Sequence, residues 1–292
     1  MKILVVSNYL GSMMNFRGHL LHSFVQSGHE VLVCSPGGHD DVERQLNTIG
    51  IMHHCIDMDR TGINPVRELF TLADLVRTFY REKPDLILNY TVKPVIYASI
   101  AGCLSGIKKI YSVIPGLGYV FSGKQTHNKV IRFFVVNLYR FALRRNNAVF
   151  FLNRDNIDLF SQLNLVNQDN TIQLNGEGVD ISFYRPDGSQ LKQTTFLLIA
   201  RLLWDKGIGE FVDAAVILKK RYPNTIFQVL GPLDSNPSAI PKAQVLAWQA
   251  AGIIDYLGET RDVRPYIANS SVFVLPSYGE GLPRTILEAM AM

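Results

Sequence analysis

Two glutamates near the end of the chain stand in a pattern that suits ligand chemistry, in the run Ser277-Tyr-Gly-Glu-Gly-Leu-Pro-Arg-Thr-Ile-Leu-Glu288. The apolar run at residues 272–275 predicts a buried strand before it. Good helix formers at residues 286–290 predict a helix after it. The segment is therefore expected to fold as strand, loop and helix.

The loop geometry indicates where the two acids lie. Gly281 allows a sharp turn, and Pro283 suits the first turn of a helix. Glu280 is then expected in the loop at the carboxyl end of the strand, and Glu288 about a turn and a half into the helix. In an open parallel sheet that edge is the ligand crevice, and the free N–H groups within residues 281–284, where Pro283 has none, face it beside the positive end of the helix dipole. The pattern suits a ligand with hydroxyl and phosphate groups, although a capped surface helix with two solvated acids fits the segment equally well.

A second loop carries two cations. Arg201 follows an apolar strand pattern, Lys206 comes five residues later, and Gly207 opens the next helix pattern. Arginine grips phosphate oxygens with two N–H groups and lysine adds a point charge, so the pair suits a diphosphate whose charge grows as it leaves. The alternative is a surface ion pair of Lys206 with Asp205 or Glu210.

Two further turns follow apolar strand patterns. Gly231-Pro232 and Gly258-Glu259 are both expected at carboxyl ends of strands, where they would line the same crevice and receive a base and a ribose. Taken singly, each is ordinary turn chemistry.

Composition places the chain among globular α/β proteins. Of its 292 residues 47% are hydrophobic, enough for a large core and for two domains. Cys34, Cys55 and Cys103 have no C-x-x-C spacing, so neither a disulfide framework nor a metal site is predicted, and a reducing compartment is favoured. No apolar run approaches the roughly 18 residues of a membrane span, which predicts a soluble or membrane-associated protein.

The net charge of +4 is concentrated in the first half. Between Leu86 and Arg154 the sequence has no Asp or Glu, which predicts that this half faces something anionic. A helix predicted at residues 127–145 interleaves cations with large apolar groups, as an anionic membrane surface requires. A core helix whose arginines reach out to water fits equally well. The residues in question are Lys129, Arg132, Arg140 and Arg144 with Phe133, Val136 and Leu143.

The order of patterns predicts two Rossmann-like domains. Short β-rich runs alternate with helical stretches, which indicates βαβ units and parallel sheets. We expect a first domain at residues 1–165 that binds the acceptor and a second at 166–292 that binds a nucleotide sugar, facing each other across a cleft. A polar stretch at residues 164–193 is interpreted as their connection. The second domain has four strand patterns, fewer than doubly wound domains usually carry, so it is expected to be incomplete.

These motifs together resemble the retaining glycosyltransferases of family 4, which have the GT-B fold. The resemblance rests on Arg201 with Lys206-Gly207, on residues 176–180 (Gly-Glu-Gly-Val-Asp), and on Glu280 and Glu288 within residues 275–288. It implies that Arg201 and Lys206 bind the nucleotide diphosphate and that Glu288 holds the ribose. It also implies that Glu280 contacts the donor sugar together with the N–H groups of Gly281 and Leu282, and that Pro283 belongs to the same binding segment.

The resemblance also assigns the loop after the first strand to the neighbourhood of the diphosphate. Asn8, Gly11 and Asn15 occupy that position, but many members carry paired glycines where this chain has Gly11 alone. A narrower likeness points to the branch that extends undecaprenyl-diphosphate-linked sugars, similar to its N-acetylgalactosaminyltransferases. It rests on residues 199–207, on the run around Asn64, and on the run that contains Gly116 and Gly118.

The function predicted from the sequence is retaining transfer of a hexose or N-acetylhexosamine from a UDP-sugar to a lipid-linked or polysaccharide-precursor acceptor. No cofactor and no metal are expected, and the protein is expected in the cytoplasm, peripheral to the membrane. A nucleotide-sugar 2-epimerase and a non-catalytic sugar-nucleotide-binding protein remain alternatives. A dinucleotide oxidoreductase is disfavoured because the loop after Ser7 lacks G-x-G-x-x-G. Nucleic-acid binding is not expected, because no recognisable module accompanies the basic stretch.

Overall fold

The computed structural model describes residues 1–59, 64–116, 129–186, 188, 193–236 and 238–292. These form two compact units, residues 1–177 and 178–292. Each unit is a parallel sheet with helices, as the alternating patterns predict. Among the described helices, none combines the length and apolarity needed to cross a membrane.

The strands of the first unit are β1 (Lys2–Val6), β2 (Glu30–Ser35), β3 (Met52–Cys55), β4 (Leu86–Tyr90), β5 (Ile110–Ile114), β6 (Ala148–Phe151) and β7 (Thr171–Gln173). Their order across the sheet is β3-β2-β1-β4-β5-β6-β7. Strand β1 pairs in parallel with β2 on one side and with β4 on the other.

The helices of the first unit cover both faces of this sheet. They are α1 (Gly11–Gln26), α2 (Asp40–Thr48), α3 (Pro65–Glu82), α4 (Val92–Leu104), α5 (Lys129–Leu143) and α6 (Arg154–Gln162). Side chains alternate along β1: Ile3 and Val5 pack with α1 and α2, while Leu4 and Val6 pack with α3 and α4. A strand buried on both faces must be apolar throughout, which is why the sequence of β1 is a continuous apolar run.

One helical layer of the first unit matters below. Leu75 and Phe79 of α3 share a core cluster with Ala98 and Ala101 of α4. Val95 and Ile96 of α4 in turn pack with Tyr139, Ala142 and Leu143 of α5. Helix α4 therefore lies between α3 and α5 on the same face of the sheet.

The second unit has a sheet with the order β10-β9-β8-β11, all parallel. Its core lies mainly between β8, β9 and α7, around residues such as Leu198, Phe211 and Phe227. The elements are β8 (Thr195–Ile199), α7 (Ile208–Arg221), β9 (Ile226–Leu230), α8 (Lys242–Ala250), β10 (Asp255–Tyr256), α9 (Arg264–Ala268), β11 (Val272–Phe273) and α10 (Arg284–Ala291).

The structure differs from the sequence prediction at the join of the units. The first unit ends at Glu177 rather than at residue 165, because β7 pairs with β6 and so belongs to the first sheet. Helix α6 was not predicted; its sequence is mostly polar, but Ile157 and Phe160 bury one edge of it. Asn153 caps it by accepting a hydrogen bond from Asn156 N at 2.8 Å.

The predicted amphipathic helix is also corrected in part. Helix α5 does expose Phe133, and Arg140 and Arg144 lie on the same side. Arg132 is also exposed, but at 100° per residue it projects to the side of Tyr139 and Leu143. Leu143, which was placed on the membrane-facing arc, is 1% exposed and packs in the core. The start of the predicted helix and the Lys129 side chain lie outside what the structure describes.

Candidate active site

The charged residues predicted to bind a ligand follow the carboxyl ends of neighbouring strands in the second unit. Arg201 follows β8, Gly231 follows β9, Gly258 follows β10, and Glu280 lies in the loop after β11. Because all four strands are parallel, these loops emerge at one edge of the sheet. The strand predictions are therefore confirmed at this edge.

Lys206 and Glu280 meet there. Lys206 Nζ lies 2.5 Å from Glu280 Oε1, and the two side chains are 18% and 26% exposed. The pair is accessible but not fully solvated, so its attraction is screened less than that of a surface pair. The alternative interpretation, a surface ion pair of Lys206 with Asp205 or Glu210, does not describe this salt bridge, because the partner of Lys206 in it is Glu280. Lysine and carboxylate held together can offer both a cation and hydrogen-bond acceptors to a polar ligand.

Close backbone packing holds the two loops together. Gly207 has φ of +70°, and a Cβ at this position would lie 2.2 Å from Pro276 O. The Tyr278 N–H donates to Asp205 O at 3.0 Å, and the Ser277 hydroxyl donates to the same oxygen at 3.3 Å. A glycine is required at position 207 both for the left-handed backbone and for this approach.

Arg201 is anchored by a different carboxylate. Its Nη1 lies 2.9 Å from Asp234 Oδ2, in the loop after β9. Asp234 also accepts from Asn236 N at 2.8 Å, so the partner is itself held in place. The arginine side chain is 44% exposed, which leaves part of the guanidinium accessible to an anion.

Glu288 is the most buried acid of the site. It is 7% exposed, lies on α10, and pairs with Arg284 at 3.0 Å. Burial raises the pKa of Glu288, while hydrogen bonds from Tyr184 and Arg284 and the charge of Arg284 oppose that rise. Burial also raises the pKa of Tyr184 to about 12, with Glu288 adding to the effect. The carboxylate is thus held in one orientation by two donors.

The turn that carries Tyr184 is fixed from two sides. Asp180 Oδ1 accepts from Ser182 N at 2.8 Å, which closes the turn. The Arg264 guanidinium carbon lies 3.7 Å from the centre of the Phe183 ring, and Arg264 is paired with Asp262 at 2.7 Å. Tyr184 is 9% exposed on this turn. Its hydroxyl therefore reaches Glu288 from a rigid support.

The glycine turns have a structural explanation. Gly231 has φ of +151°, and a Cβ there would lie 1.9 Å from Ala200 O, so the loops after β8 and β9 need a glycine to pack. Gly231 N donates to Gly258 O at 2.7 Å. Glu259 is exposed beside this turn. The predicted contacts of these residues with base and ribose stay predictions.

In the loop after β11, Gly281 is half-buried and Leu282 is 36% exposed. Pro283, expected in the first turn, is the N-cap of α10, and the helix begins at Arg284. Glu288 therefore lies about one turn into the helix rather than the expected turn and a half.

The predicted loop residues of the first unit are only partly in a loop. Asn8 follows β1 and its Oδ1 accepts from the Thr91 hydroxyl at 2.9 Å. Gly11 and Asn15 lie in α1, because the helix begins at Gly11. Gly11 is buried against the Tyr9 ring, whereas Asn15 is exposed. Placing Gly11 and Asn15 in a loop was therefore wrong, and their position near the diphosphate stays a prediction.

Two further predicted residues lie in connections that follow strands of this unit. Asn64 caps α3, accepting from Val66 N at 3.0 Å. Gly116 follows β5, and a Cβ there would meet nothing within 4 Å. Gly118 and residues 61–63 of the narrower likeness lie outside the described residues.

Several residues of the site were missed by the sequence reasoning. Tyr184, Asp234 and Tyr278 hold Glu288, Arg201 and Glu210 respectively. No local motif marks them, since each partner lies far away in the sequence. In the described part of the chain, no group of three or more His, Cys, Asp or Glu side chains is arranged so that it could hold a metal ion.

Both halves of the chain match known protein families. A family described as "Glycosyl transferase 4-like" matches residues 2–153, and one described as "Glycosyl transferases group 1" matches residues 193–292. The first match covers more than half of the chain.

Two relatives have names that specify their substrates. A protein of Campylobacter jejuni is 26% identical over all of this chain and 78% of its own length; it is named N,N'-diacetylbacillosaminyl-diphospho-undecaprenol alpha-1,3-N-acetylgalactosaminyltransferase. An Escherichia coli protein is 23% identical over 79% of this chain and 61% of its own length, and is named UDP-Gal:alpha-D-GlcNAc-diphosphoundecaprenol alpha-1,3-galactosyltransferase.

The fold is shared with solved glycosyltransferases. Anabaena HepE, crystallised with UDP and glucose, is 18% identical and superimposes with a TM-score of 0.71 over all of this chain and 78% of that chain. A glycosyltransferase from Rickettsia africae gives a TM-score of 0.70 at 18% identity over 100% of this chain and 77% of that chain. This likeness shows the GT-B fold, as predicted from the sequence.

Proposed function

We propose that this chain, which belongs to the glycosyl transferase 4-like family, transfers a hexose or N-acetylhexosamine from a UDP-sugar to an undecaprenyl-diphosphate-linked or polysaccharide-precursor acceptor with retention of configuration. The observation that carries the proposal is the Lys206–Glu280 pair at the carboxyl edge of the second sheet. The names of the two relatives support the acceptor class.

The donor's diphosphate is assigned to Arg201 and Lys206. The Arg201 side chain is 44% exposed and the Lys206 side chain is 18% exposed, so both cations are accessible to a diphosphate. Positive charge next to a leaving diphosphate stabilises the transition state more than the ground state, because the charge on that group grows as the bond breaks. No metal is needed for this role, and metal independence stays a prediction.

Glu280 and the residues after it are assigned to the sugar. A carboxylate accepts hydrogen bonds from two hydroxyl groups, and the N–H groups of Gly281 and Leu282 are positioned before α10. Glu288 is assigned to the ribose. Its two fixed donors, Tyr184 and Arg284, leave the carboxylate oriented before any ligand arrives.

The proposed reaction has one displacement at the anomeric carbon. The acceptor oxygen forms its bond on the face from which the diphosphate leaves, the bond from carbon to diphosphate oxygen breaks, and a diphosphate oxygen takes the acceptor's proton. Configuration is retained because bond making and bond breaking occur on the same face. UDP and the extended acceptor are the products.

The test is transfer by the full-length enzyme from radiolabelled UDP-sugars to lipid-diphosphate acceptors. Lys206→Ala and Glu280→Ala should each abolish transfer, whereas Lys220→Ala and Asp213→Asn, exposed on α7, should not change it. Transfer near the wild-type rate in either site variant would remove the assignment of that residue. Conversion of donor in the absence of acceptor would identify an epimerase, and donor binding without turnover on any acceptor would identify a non-catalytic protein.

A further inference from the structure

Helix α3 carries an apolar stripe that is exposed in the structure; of its residues, Tyr80 donates a hydrogen bond from its hydroxyl to Leu104 O at 3.1 Å. Val66, Leu69, Phe70 and Tyr80 are 59%, 66%, 66% and 58% exposed. At 100° per residue these four side chains fall on one side of the helix. Ala73 and Arg77 lie on the same side, between Phe70 and Tyr80. The opposite side, with Leu75 and Phe79, is in the core. This helix is therefore apolar on both sides.

Helix α5 shows the same feature. Phe133, Phe134 and Phe141 are 65%, 61% and 65% exposed, whereas Tyr139 is 1% exposed. Arg140 and Arg144 are also exposed, and they lie on the helical surface between these phenylalanines. Single exposed apolar residues are ordinary, but rows of large ones on adjacent elements mark an interaction surface.

The two stripes face the same way. Helix α4 packs between α3 and α5 on one face of the sheet, and it is buried or half-buried along its length except at Leu104. The outward surface of this layer is therefore supplied by α3 and α5. We name it the α3–α5 face and define it by one list: Val66, Leu69, Phe70, Ala73, Arg77, Tyr80, Phe133, Phe134, Arg140, Phe141, Arg144 and Arg145.

We propose that the α3–α5 face binds an anionic lipid bilayer. Its charged members are all arginines, and the sequence has no Asp or Glu from Leu86 to Arg154, which includes all of α5. On α3, Glu68 is buried against Lys93, and Asp74 is half-buried at the margin of the stripe. Cations and aromatic rings on one surface match the boundary between lipid headgroups and acyl chains.

A second copy of the chain is a poorer occupant. A symmetric interface would bring the arginines of one α3–α5 face against those of the other, and like charges in a desolvated interface are costly. A bilayer supplies phosphate for the arginines and hydrocarbon for the rings at the same time. The proposal extends the predicted contact of α5 alone, because it requires α3 as well.

The test is co-sedimentation of the protein with vesicles of phosphatidylcholine, with and without one quarter phosphatidylglycerol. The wild type should bind the anionic vesicles, bind pure phosphatidylcholine far more weakly, and be released by salt. Leu69→Ser/Phe70→Ser on α3 and Phe133→Ser/Phe134→Ser on α5 should each lower the partition coefficient by at least about tenfold. The control pair Ile217→Ser/Leu246→Ser removes apolar residues that are 67% and 48% exposed in the second unit, and should bind as the wild type does.

Circular dichroism establishes that each variant is folded before binding is measured. Absence of wild-type binding to anionic vesicles would overturn the proposal. If the α5 double variant binds vesicles more weakly and the α3 double variant binds as the wild type does, the claim that both helices form the face would be overturned. Sedimentation velocity tests the other occupant. If the wild type is a dimer that does not bind vesicles, and both the α3 and the α5 double variants are monomers, the face binds a second copy instead. Since vesicle binding needs neither donor nor transfer, these outcomes are independent of the proposed reaction.

Discussion

Replacing Tyr184 by phenylalanine is expected to weaken donor binding without disturbing the fold. The ring of Tyr184 is buried at 9% exposure and stays in the variant, while the hydroxyl that hydrogen-bonds Glu288 is removed. This bond of about 1.5–3 kcal/mol exists before UDP binds, so UDP affinity loses only the share of it that keeps Glu288 ionised and oriented. The dissociation constant of UDP should therefore rise about threefold to tenfold.

The effect should depend on pH in a defined direction. Burial already raises the pKa of Glu288, and the bond from Tyr184 opposes that rise. Removing the bond raises the pKa further, so the carboxylate is protonated at a higher pH than in the wild type. Loss of UDP affinity should therefore begin at a higher pH as the solution is acidified.

Isothermal titration of UDP across pH 5–9 measures both effects. Tyr222→Phe, which alters an exposed tyrosine at the end of α7, is the matched control and should follow the wild-type curve. A Tyr184→Phe curve that superimposes on the wild type at every pH would refute the argument that Tyr184 acts on the ligand through Glu288.

Three other predictions concern stability. Gly207→Ala should lower the free energy of unfolding by more than about 2 kcal/mol in urea titration, because the new Cβ clashes with Pro276 O. The control Gly252→Ala, at φ of +66° with nothing within 4 Å of a new Cβ, should lower it by only about 1–2 kcal/mol. Equal losses in the two variants would contradict the packing argument. Asn64→Ala should cost about 1 kcal/mol through loss of the α3 cap, read from the thermal midpoint, and an unchanged midpoint would contradict it. Hydrogen bonds from Lys2 and Arg81 lower the pKa of Glu82, so this carboxylate stabilises the folded protein above its ordinary pKa and loses that effect on acidification. The difference in unfolding free energy between wild type and Glu82→Gln should therefore shrink as pH falls below 4.5. A difference that stays constant with pH would contradict the ion pairing.

The strands and their carboxyl-edge loops were predictable from the sequence because buried parallel strands are continuous apolar runs. The run of β1 and the turn after β8 are examples. Helix α6 was not predictable in the same way, because its sequence RDNIDLFSQ buries only a narrow edge. Strand β7 was assigned to a connection, since its pairing with β6 depends on tertiary structure.

In the candidate site too, only the residues marked by a local sequence pattern were predictable. Glu280, Lys206 and Arg201 were identifiable because each follows a strand pattern. Their partners in the structure were not, since the Arg201–Asp234 and Tyr184–Glu288 contacts join residues far apart in sequence. The exposed stripe of α3 was missed because its core side and its outer side are both apolar, which hides the outer stripe in the helical pattern.

Hydrogen exchange with and without UDP tests the central claim most directly, namely that the loops after β8 and β11 and the start of α10 bind the nucleotide sugar. Peptides covering residues 201–207, 276–283 and 284–291 should exchange more slowly when UDP is present, and this protection should be lost in Lys206→Ala. Protection confined to other segments of the second unit, with these three unchanged, would contradict the account.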